Sequence, residues 1–175
     1  MPVTLVERYN PEWPGWFLQL HALLGRTLAG HFYAIEHVGS TSVPGMTAKP
    51  AIDIDVVMRE GQFKRIKSYL SPLGYEHAGD QGIPGRDAFK LNGPLAGTLP
   101  PHHLYVLDKG AEELRRHLAF RDYLRSHSDE AQRLSEHKWQ LAARFDNDKE
   151  RYIEAKAAMV LEILERALAS QGATA

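Results

Sequence analysis

The sequence predicts a mixed-sheet α/β (α+β) fold followed by a C-terminal helical bundle. Three observations carry this. Up to about Lys109, short β-branched runs alternate with helical patterns and frequent Gly and Pro. Beyond it nearly every residue favours helix, and neither Pro nor Gly occurs between Ala111 and Gln171. At 175 residues the chain has the length of one domain, or of one domain with a helical extension. The expected division is an α/β portion over 1–109 and a helical portion over 110–175 packed on it.

Each element follows from its spacing. Trp16, Phe17, Leu20, Leu23, Leu24 and Leu28 recur at helical intervals after the start signal Asn10-Pro11, so a helix is expected over 13–28. A strand follows over 32–38 and stops at Gly39. Residues 51–58 are short and β-branched, a buried strand. Phe63, Ile66, Tyr69, Leu70 and Leu73 mark a helix over 62–73 that Gly74 closes. Weaker strand patterns cover 75–78, 87–91 and 102–107, with loops over 80–85 and 92–101. Three helices complete the chain, over 111–126, 129–145 and 149–170. The last places Ile153, Ala157, Val160, Leu161, Leu164 and Leu168 on one face.

Composition narrows the function classes. The 21 basic and 22 acidic residues divide evenly, ten against ten up to residue 110 and eleven against twelve after it. No basic stripe announces a nucleic-acid or anionic-membrane partner. With no cysteine, thiolate metal and redox sites are excluded. The N-terminus lacks a cationic stretch followed by an apolar core, and the apolar run over 157–168 is broken by Glu162, Glu165 and Arg166. A soluble cytoplasmic protein is expected, with no membrane partner.

Chemistry concentrates between Ile35 and Met58. One strand ends at Gly39-Ser40, a polar loop carries Lys49, and the next strand displays Asp53-Ile54-Asp55. Side chains alternate along a strand, so Asp53 and Asp55 share one face with Cα atoms about 6.5–7 Å apart. Both carboxylates can converge on Mg²⁺, whose oxygen ligands sit at about 2.1 Å. Acids within an apolar strand are costly unless a cation, hydrogen bonds or an open sheet face compensates them. Gly39 permits close backbone approach, Ser40 offers a hydroxyl and an amide to a phosphate oxygen, and Lys49 can neutralise phosphate charge.

The order Gly39-Ser40, twelve residues, then Asp53-Ile54-Asp55 resembles the signature of the nucleotidyltransferase superfamily, the DNA polymerase β-like fold. More closely, Ile35-Glu-His-Val-Gly-Ser-Thr-Ser-Val-Pro-Gly-Met46, Ala48-Lys-Pro-Ala-Ile-Asp53 and His117-Leu-Ala-Phe-Arg-Asp-Tyr-Leu-Arg125 resemble the GrpB family. Tyr9-Asn-Pro-Glu-Trp13, Leu73-Gly-Tyr75 and Tyr152-Ile-Glu-Ala-Lys156 extend the likeness over about 9–168. The resemblance implies a nucleotidyltransferase-like fold, in a family whose activity and substrate are generally undetermined. The family's domain also occurs fused to dephospho-CoA kinase. This sequence has no Gly-x-x-x-x-Gly-Lys-[Ser/Thr] loop, so that kinase activity is not expected of it.

The catalytic analogy is incomplete. Active nucleotidyltransferases usually add a third carboxylate from a later strand. Here the strand over 102–107 places His103 and Tyr105 on the face opposite Leu104 and Val106, and neither is an acid. Members of the family tend to read His-Leu-His at this point, so Tyr105 departs from the pattern. His103 can serve as a base, as a metal ligand or as a structural histidine. Asp87, Asp108 and Glu36 are each available as the missing acid, and spacing selects none. Arg86 and Lys90 can meet a triphosphate but read first as solvated charges, and Arg121 and Lys138 read as members of helix-surface or inter-helix salt bridges. Tyr152 and Lys156 share a helix face that can line an acceptor cleft. Trp13, Trp16 and Trp139 read as core anchors.

The leading expectation is a Mg²⁺- or Mn²⁺-dependent transfer of a nucleoside monophosphate from an NTP to a small-molecule or protein acceptor. Asp53 and Asp55 would hold metal, Gly39, Ser40, Ser42 and Lys49 would bind phosphate, and His103 would act as base. A non-catalytic nucleotide- or metal-binding module is the alternative. Processing of nucleic-acid ends fits the neutral charge least.

Overall fold

Pro14 in the first turn starts helix α1, Trp13–Thr27, because its fixed φ suits a helix and its missing N–H costs nothing there. Trp13, Leu20 and Leu24 are buried on one face, and the Leu28 amide closes the helix on the Leu24 carbonyl at 2.8 Å. The computed structural model describes residues 3–172.

The next elements are β1, Phe32–Val38, a 3-10 turn over Ser40–Ser42, and β2, Ile52–Met58. Helix α2, Phe63–Leu70, runs into a second 3-10 turn over Ser71–Leu73, which Gly74 ends in the left-handed conformation (φ 91°). Then follow β3, Tyr75–His77, β4, Arg86–Leu91, and β5, His102–Asp108. The helices α3, Glu112–Ser126, α4, Ser128–Arg144, and α5, Lys149–Gly172, complete the chain. Every strand and helix expected from the sequence is present, with ends displaced by at most three residues. The 3-10 turn over Ser40–Ser42 went unread, since a single turn leaves no period to detect, and that over Ser71–Leu73 falls inside the helix expected over 62–73.

The chain packs as two compact units. One holds Glu12–Val38 and Ala51–Arg115; the other holds the chain up to Pro11, Gly39–Pro50 and the chain from Arg116 onward. The linear split near Lys109 therefore differs from the packing. The Gly39–Pro50 loop belongs with the later helices, where Val43 and Met46 are buried in one cluster with Leu124, Ala131, Leu134 and Ile163.

In the first unit the sheet order is β1-β2-β5-β4-β3. β2 pairs antiparallel with β1 and parallel with β5, and β4 pairs antiparallel with β5 and β3. The sheet is mixed, as expected. Ile52, Ile54, Val56, Leu104 and Val106 are all buried, and α1 lies against β1 and β2 while α2 lies against β3. Burying a side chain of this kind contributes about 1.5–3 kcal/mol.

In the second unit a bridge joins Glu7 to Ala48 through backbone bonds of 2.9 and 3.1 Å. The Asn147 side-chain oxygen accepts from the Thr4 and Leu5 amides at 2.7 and 3.1 Å. Val6, Leu141, Ala142 and Tyr152 form a further core there. Among the described residues no helix is long and apolar enough to cross a membrane.

Candidate functional site

Strand register decides which polar groups of the sheet meet. Asp53 pairs with Val38 on β1 and His103 on β5, and Asp55 pairs with Glu36 on β1 and Tyr105 on β5. Directly paired residues project to the same face. One face thus carries Glu36, Asp53, Asp55, His103 and Tyr105, and the alternate residues Ile52, Ile54, Leu104 and Val106 fill the core behind it. Asp55 has no exposed surface, Asp53 and Tyr105 are half-buried, and His103 is exposed.

Of the three acids that spacing could not separate, Glu36 alone shares this face. Asp87 pairs with Val106, on the core side, and its carboxylate lies 2.7 Å from His77 Nε2. Asp108 pairs with Met58, two positions beyond Val106 on that same side, and is exposed at the strand end.

Arg86 and Tyr105 set the electrostatics beside the acids. The Arg86 guanidinium is almost fully buried and stands 4.4 Å from the centre of the Tyr105 ring. Burial raises the Tyr105 pKa, and Asp53, Asp55 and Glu113 raise it further, against the opposing effect of Arg86. The phenol therefore stays protonated beside the carboxylates and is a donor there. Arg86, read from sequence as solvated, is instead an interior cation.

The donor chemistry suits Mg²⁺, a hard cation that binds through one or two carboxylates and fills its remaining positions with water and phosphate oxygens. Asp53 and Asp55 supply that pair. No group of three or more His, Asp or Glu side chains among the described residues is placed to hold a metal by itself.

The Gly39–Pro50 loop is built by the second unit. Gly39 adopts φ 70° and ψ −172°, a conformation essentially reserved for glycine. The Ser42 hydroxyl donates to the Gly39 carbonyl at 2.6 Å, so its proton holds the turn closed. Arg125 Nε donates to the Ser42 carbonyl at 2.9 Å. The Thr47 amide donates to Ser135 Oγ at 2.7 Å, and that hydroxyl donates to Thr47 Oγ1 at 2.8 Å. Lys138 Nζ donates to Ser40 Oγ and to the Thr47 carbonyl, the latter at 3.3 Å. Lys49 is exposed.

The GrpB protein family profile matches residues 2–166. The chain belongs to the GrpB family. It is 38% identical over 162 residues to a UPF0157 protein of Pseudomonas aeruginosa, covering 92% of this chain and 66% of that one. It is 34% identical to the UPF0157 protein YqkA of Bacillus subtilis, over 85% of this chain and 42% of the relative. The chain thus spans less than two thirds of the length of both relatives. The crystal structure of GrpB from Enterococcus faecalis superposes with a TM-score of 0.82 at 32% identity, over 95% of this chain and 98% of that one. The fold class implied by the GrpB resemblance is borne out.

Sequence reading found Asp53, Asp55 and His103 on this GrpB sheet and could not select Glu36. It also passed over Lys138, although a signal was present. Lys138 lies on the stripe Ala131, Leu134, Ser135, Leu141 and Ala142, which is the buried face of α4. Tyr152 is buried in the core beside Leu141 and Ala142, with Lys156 Nζ 4.9 Å from the centre of its ring, and burial pushes its pKa up to about 12. It packs a core and does not open an acceptor cleft. Trp13 is a core anchor as expected, whereas Trp139 is half-buried, with the Arg8 guanidinium 4.2 Å from its ring centre.

Proposed function

We propose that this protein is a Mg²⁺-dependent nucleotidyltransferase that moves a nucleoside monophosphate from an NTP to an acceptor bearing a nucleophilic hydroxyl. The observation that carries the reading is the pairing of a fully buried Asp55 with Asp53 on one face of a central strand, next to His103 and Tyr105. A carboxylate without exposure, as at Asp55, is expensive, and a divalent cation lowers that cost.

In this reading Asp53 and Asp55 hold Mg²⁺ or Mn²⁺. The metal, when bound, neutralises charge on phosphate oxygens as an in-line displacement proceeds. The acceptor oxygen forms a bond to the α-phosphorus, the bond from that phosphorus to the bridging oxygen breaks, and pyrophosphate leaves. His103 takes the acceptor proton, an exposed imidazole being open to a substrate at neutral pH. The Tyr105 phenol donates to a phosphate or acceptor oxygen. The Gly39–Ser42 turn belongs to the other unit, where the Ser42 hydroxyl keeps it in shape.

A second reading, a nucleotide- or metal-binding module without turnover, is favoured by one observation. Neither β5 residue on the acidic face, His103 or Tyr105, is a carboxylate, at the point where a third one would stand.

Thermal unfolding with each NTP, with and without Mg²⁺ or Mn²⁺, tests the proposal, followed by transfer of label from an α-labelled NTP. A metal-dependent rise in midpoint, lost in Asp53→Asn/Asp55→Asn, together with label transfer supports catalysis. The same rise without transfer supports the binding module. No rise with any NTP, nor with Mg²⁺ or Mn²⁺ alone, defeats both.

A further inference from the structure

We infer that Arg86 is the leaving-group cation of the sheet face, seating the pyrophosphate part of the nucleotide on the far side of Tyr105 from His103. This rests on the transferase reading above and adds the residue that receives the phosphates opposite the acceptor. Every residue in the argument belongs to the unit that holds the sheet.

Register fixes the order along the face. Tyr105 pairs with Ala88 and Leu107 pairs with Arg86, so Arg86 projects to the side that carries Asp53, Asp55 and Tyr105. His103 lies two residues from Tyr105 in one direction, and the Arg86–Leu107 pair lies two residues away in the other. At about 3.3 Å per residue these positions are roughly 13 Å apart along β5. Asp53 is level with His103 and Asp55 with Tyr105, on the neighbouring strand. An in-line displacement puts the incoming hydroxyl and the departing oxygen on opposite sides of the α-phosphorus. With His103 taking the acceptor proton at one end, pyrophosphate leaves toward the other end, where Arg86 enters.

The guanidinium is built into this face. Arg86 is 9% exposed, and its Nε is buried with no hydrogen-bond partner among the described residues. Its own row across the sheet holds Leu107 and Val57, both buried and apolar, and neither side chain can accept a hydrogen bond. Its Cζ stands instead 4.4 Å from the centre of the Tyr105 ring. A cation over a ring is held in place without using its N–H donors. A buried donor left without an acceptor is costly, and a phosphate oxygen meets it. Arginine suits the task, because its charge survives burial and its planar fork matches phosphate oxygens. Asp53, Asp55 and Glu113 also act on the Tyr105 phenol, so acids outnumber the cation there. The phosphates therefore enter with Mg²⁺, the carboxylates meeting the metal and Arg86 meeting the oxygens.

Pyrophosphate with Mg²⁺, the product of the transfer, is the probe. Calorimetry on the full chain compares it with the four NTPs, their monophosphates and Mg²⁺ alone. Arg86→Met removes the charge and keeps an unbranched stem. Lys90→Met is the control, since it removes an exposed charge further along the same face of β4, opposite Glu76. Arg86→Met is expected to lose about tenfold or more in affinity for Mg²⁺-pyrophosphate and NTP, and to stay within about twofold for monophosphates. It should bind Mg²⁺ alone no more weakly than wild type, because a neighbouring positive charge is gone. Lys90→Met is unchanged. Unchanged pyrophosphate binding in Arg86→Met overturns the inference, as does an equal loss for monophosphates. Weaker binding of Mg²⁺ alone makes Arg86 a support for the acids, and an equal loss in Lys90→Met makes the effect one of general charge; both overturn it. A wild type that binds NTP but not Mg²⁺-pyrophosphate overturns it too, and all these outcomes leave the nucleotide reading standing. If the wild type binds neither, that reading falls and takes the inference with it. Should Arg86→Met fail to fold, Arg86→Lys replaces it, keeping the charge without the Nε donor and the fork. Its affinity for pyrophosphate must fall about threefold or more beyond any change for monophosphates, and equal changes overturn the inference.

Discussion

Glu36 stands directly across the β1–β2 ladder from Asp55. Directly opposed residues on neighbouring antiparallel strands have Cβ atoms about 4.5–5.5 Å apart, so the two carboxyl groups act on the same small volume. Glu36 adds negative potential where a cation is proposed, and gives the face an acid that β5 does not supply. Glu36→Gln is therefore expected to weaken the Mg²⁺-dependent stabilisation by NTP and to slow label transfer by about 10²-fold or more. Asp108→Asn, exposed and on the opposite side of the sheet, is expected to stay within a few-fold of wild type. Equal losses in both would mean that sheet face is irrelevant and the acid effect is general.

Asp53 and Asp55 carry a sharper expectation. An NTP with Mg²⁺ at about 100 times its Kd stabilises the folded state by roughly 2.7 kcal/mol. Replacing both acids with Asn should remove that increment. Circular dichroism of the variant checks that its helices and strands persist. A full midpoint shift in the folded double variant would assign nucleotide binding to another part of the chain.

Much of this arrangement was legible because strands report their faces with a period of two residues. Asp53 and Asp55 fall two apart, as do His103 and Tyr105, so each pair could be placed on a face before any partner strand was known. Glu36 could not be selected. Its relation to Asp55 is a matter of register between strands separated by a long loop, and spacing carries no register. Lys138 was passed over for a different reason: a charged residue on an amphipathic helix reads as solvated unless its neighbours at three and four positions are weighed first. Lys49 was chosen by its place in the residue order, as the one lysine of the polar loop between Gly39-Ser40 and Asp53. That measure says nothing about exposure.

Stability should respond to pH through Tyr75 and His102. His102 Nδ1 donates to the Pro100 carbonyl at 2.7 Å, which leaves Nε2 to accept from the Tyr75 hydroxyl, also at 2.7 Å. Burial lowers the His102 pKa from 6.5, against the opposing pull of the Pro100 bond. A folded-state pKa below the unfolded one means that the unfolded chain takes the proton first. The contribution is present above pH 6.5 and is lost as pH falls toward the folded value. Burial also pushes Tyr75 up to about 12 from 10.0, so a second loss begins as pH rises past the unfolded value. Tyr75→Phe should lower stability by about 1 kcal/mol near neutrality. It should also reduce the alkaline slope without abolishing it, because Tyr152 is shifted in the same direction. Midpoints measured against pH in both proteins check this, and an unchanged alkaline slope would sink the assignment to Tyr75.

Gly74 and Gly93 touch backbone to backbone, and each excludes a side chain on the other. A Cβ built on Gly74 would lie 2.4 Å from the Gly93 Cα, and one built on Gly93 would lie 2.5 Å from the Gly74 Cα. Gly74 also has φ +91°, whereas Gly97, at φ +83°, has nothing within 4 Å of its built Cβ. The comparison separates two costs. Gly97→Ala should show the backbone term alone, about 1 kcal/mol. Gly74→Ala should add the steric term, bringing the loss to about 3 kcal/mol or more, because the obstructing atoms are main chain and cannot rotate away. Gly93→Ala should show the steric term without the positive-φ term. The double variant Gly74→Ala/Gly93→Ala should lose less than the sum of the two, since one separation of the segments relieves both collisions. The contact sits where the turn before β3 meets the end of β4, and the Asn92 amide donates to the Gly74 carbonyl there at 2.9 Å. Denaturant midpoints for the four proteins measure these differences. A Gly74→Ala loss no larger than that of Gly97→Ala would show that the two segments do not meet at this distance.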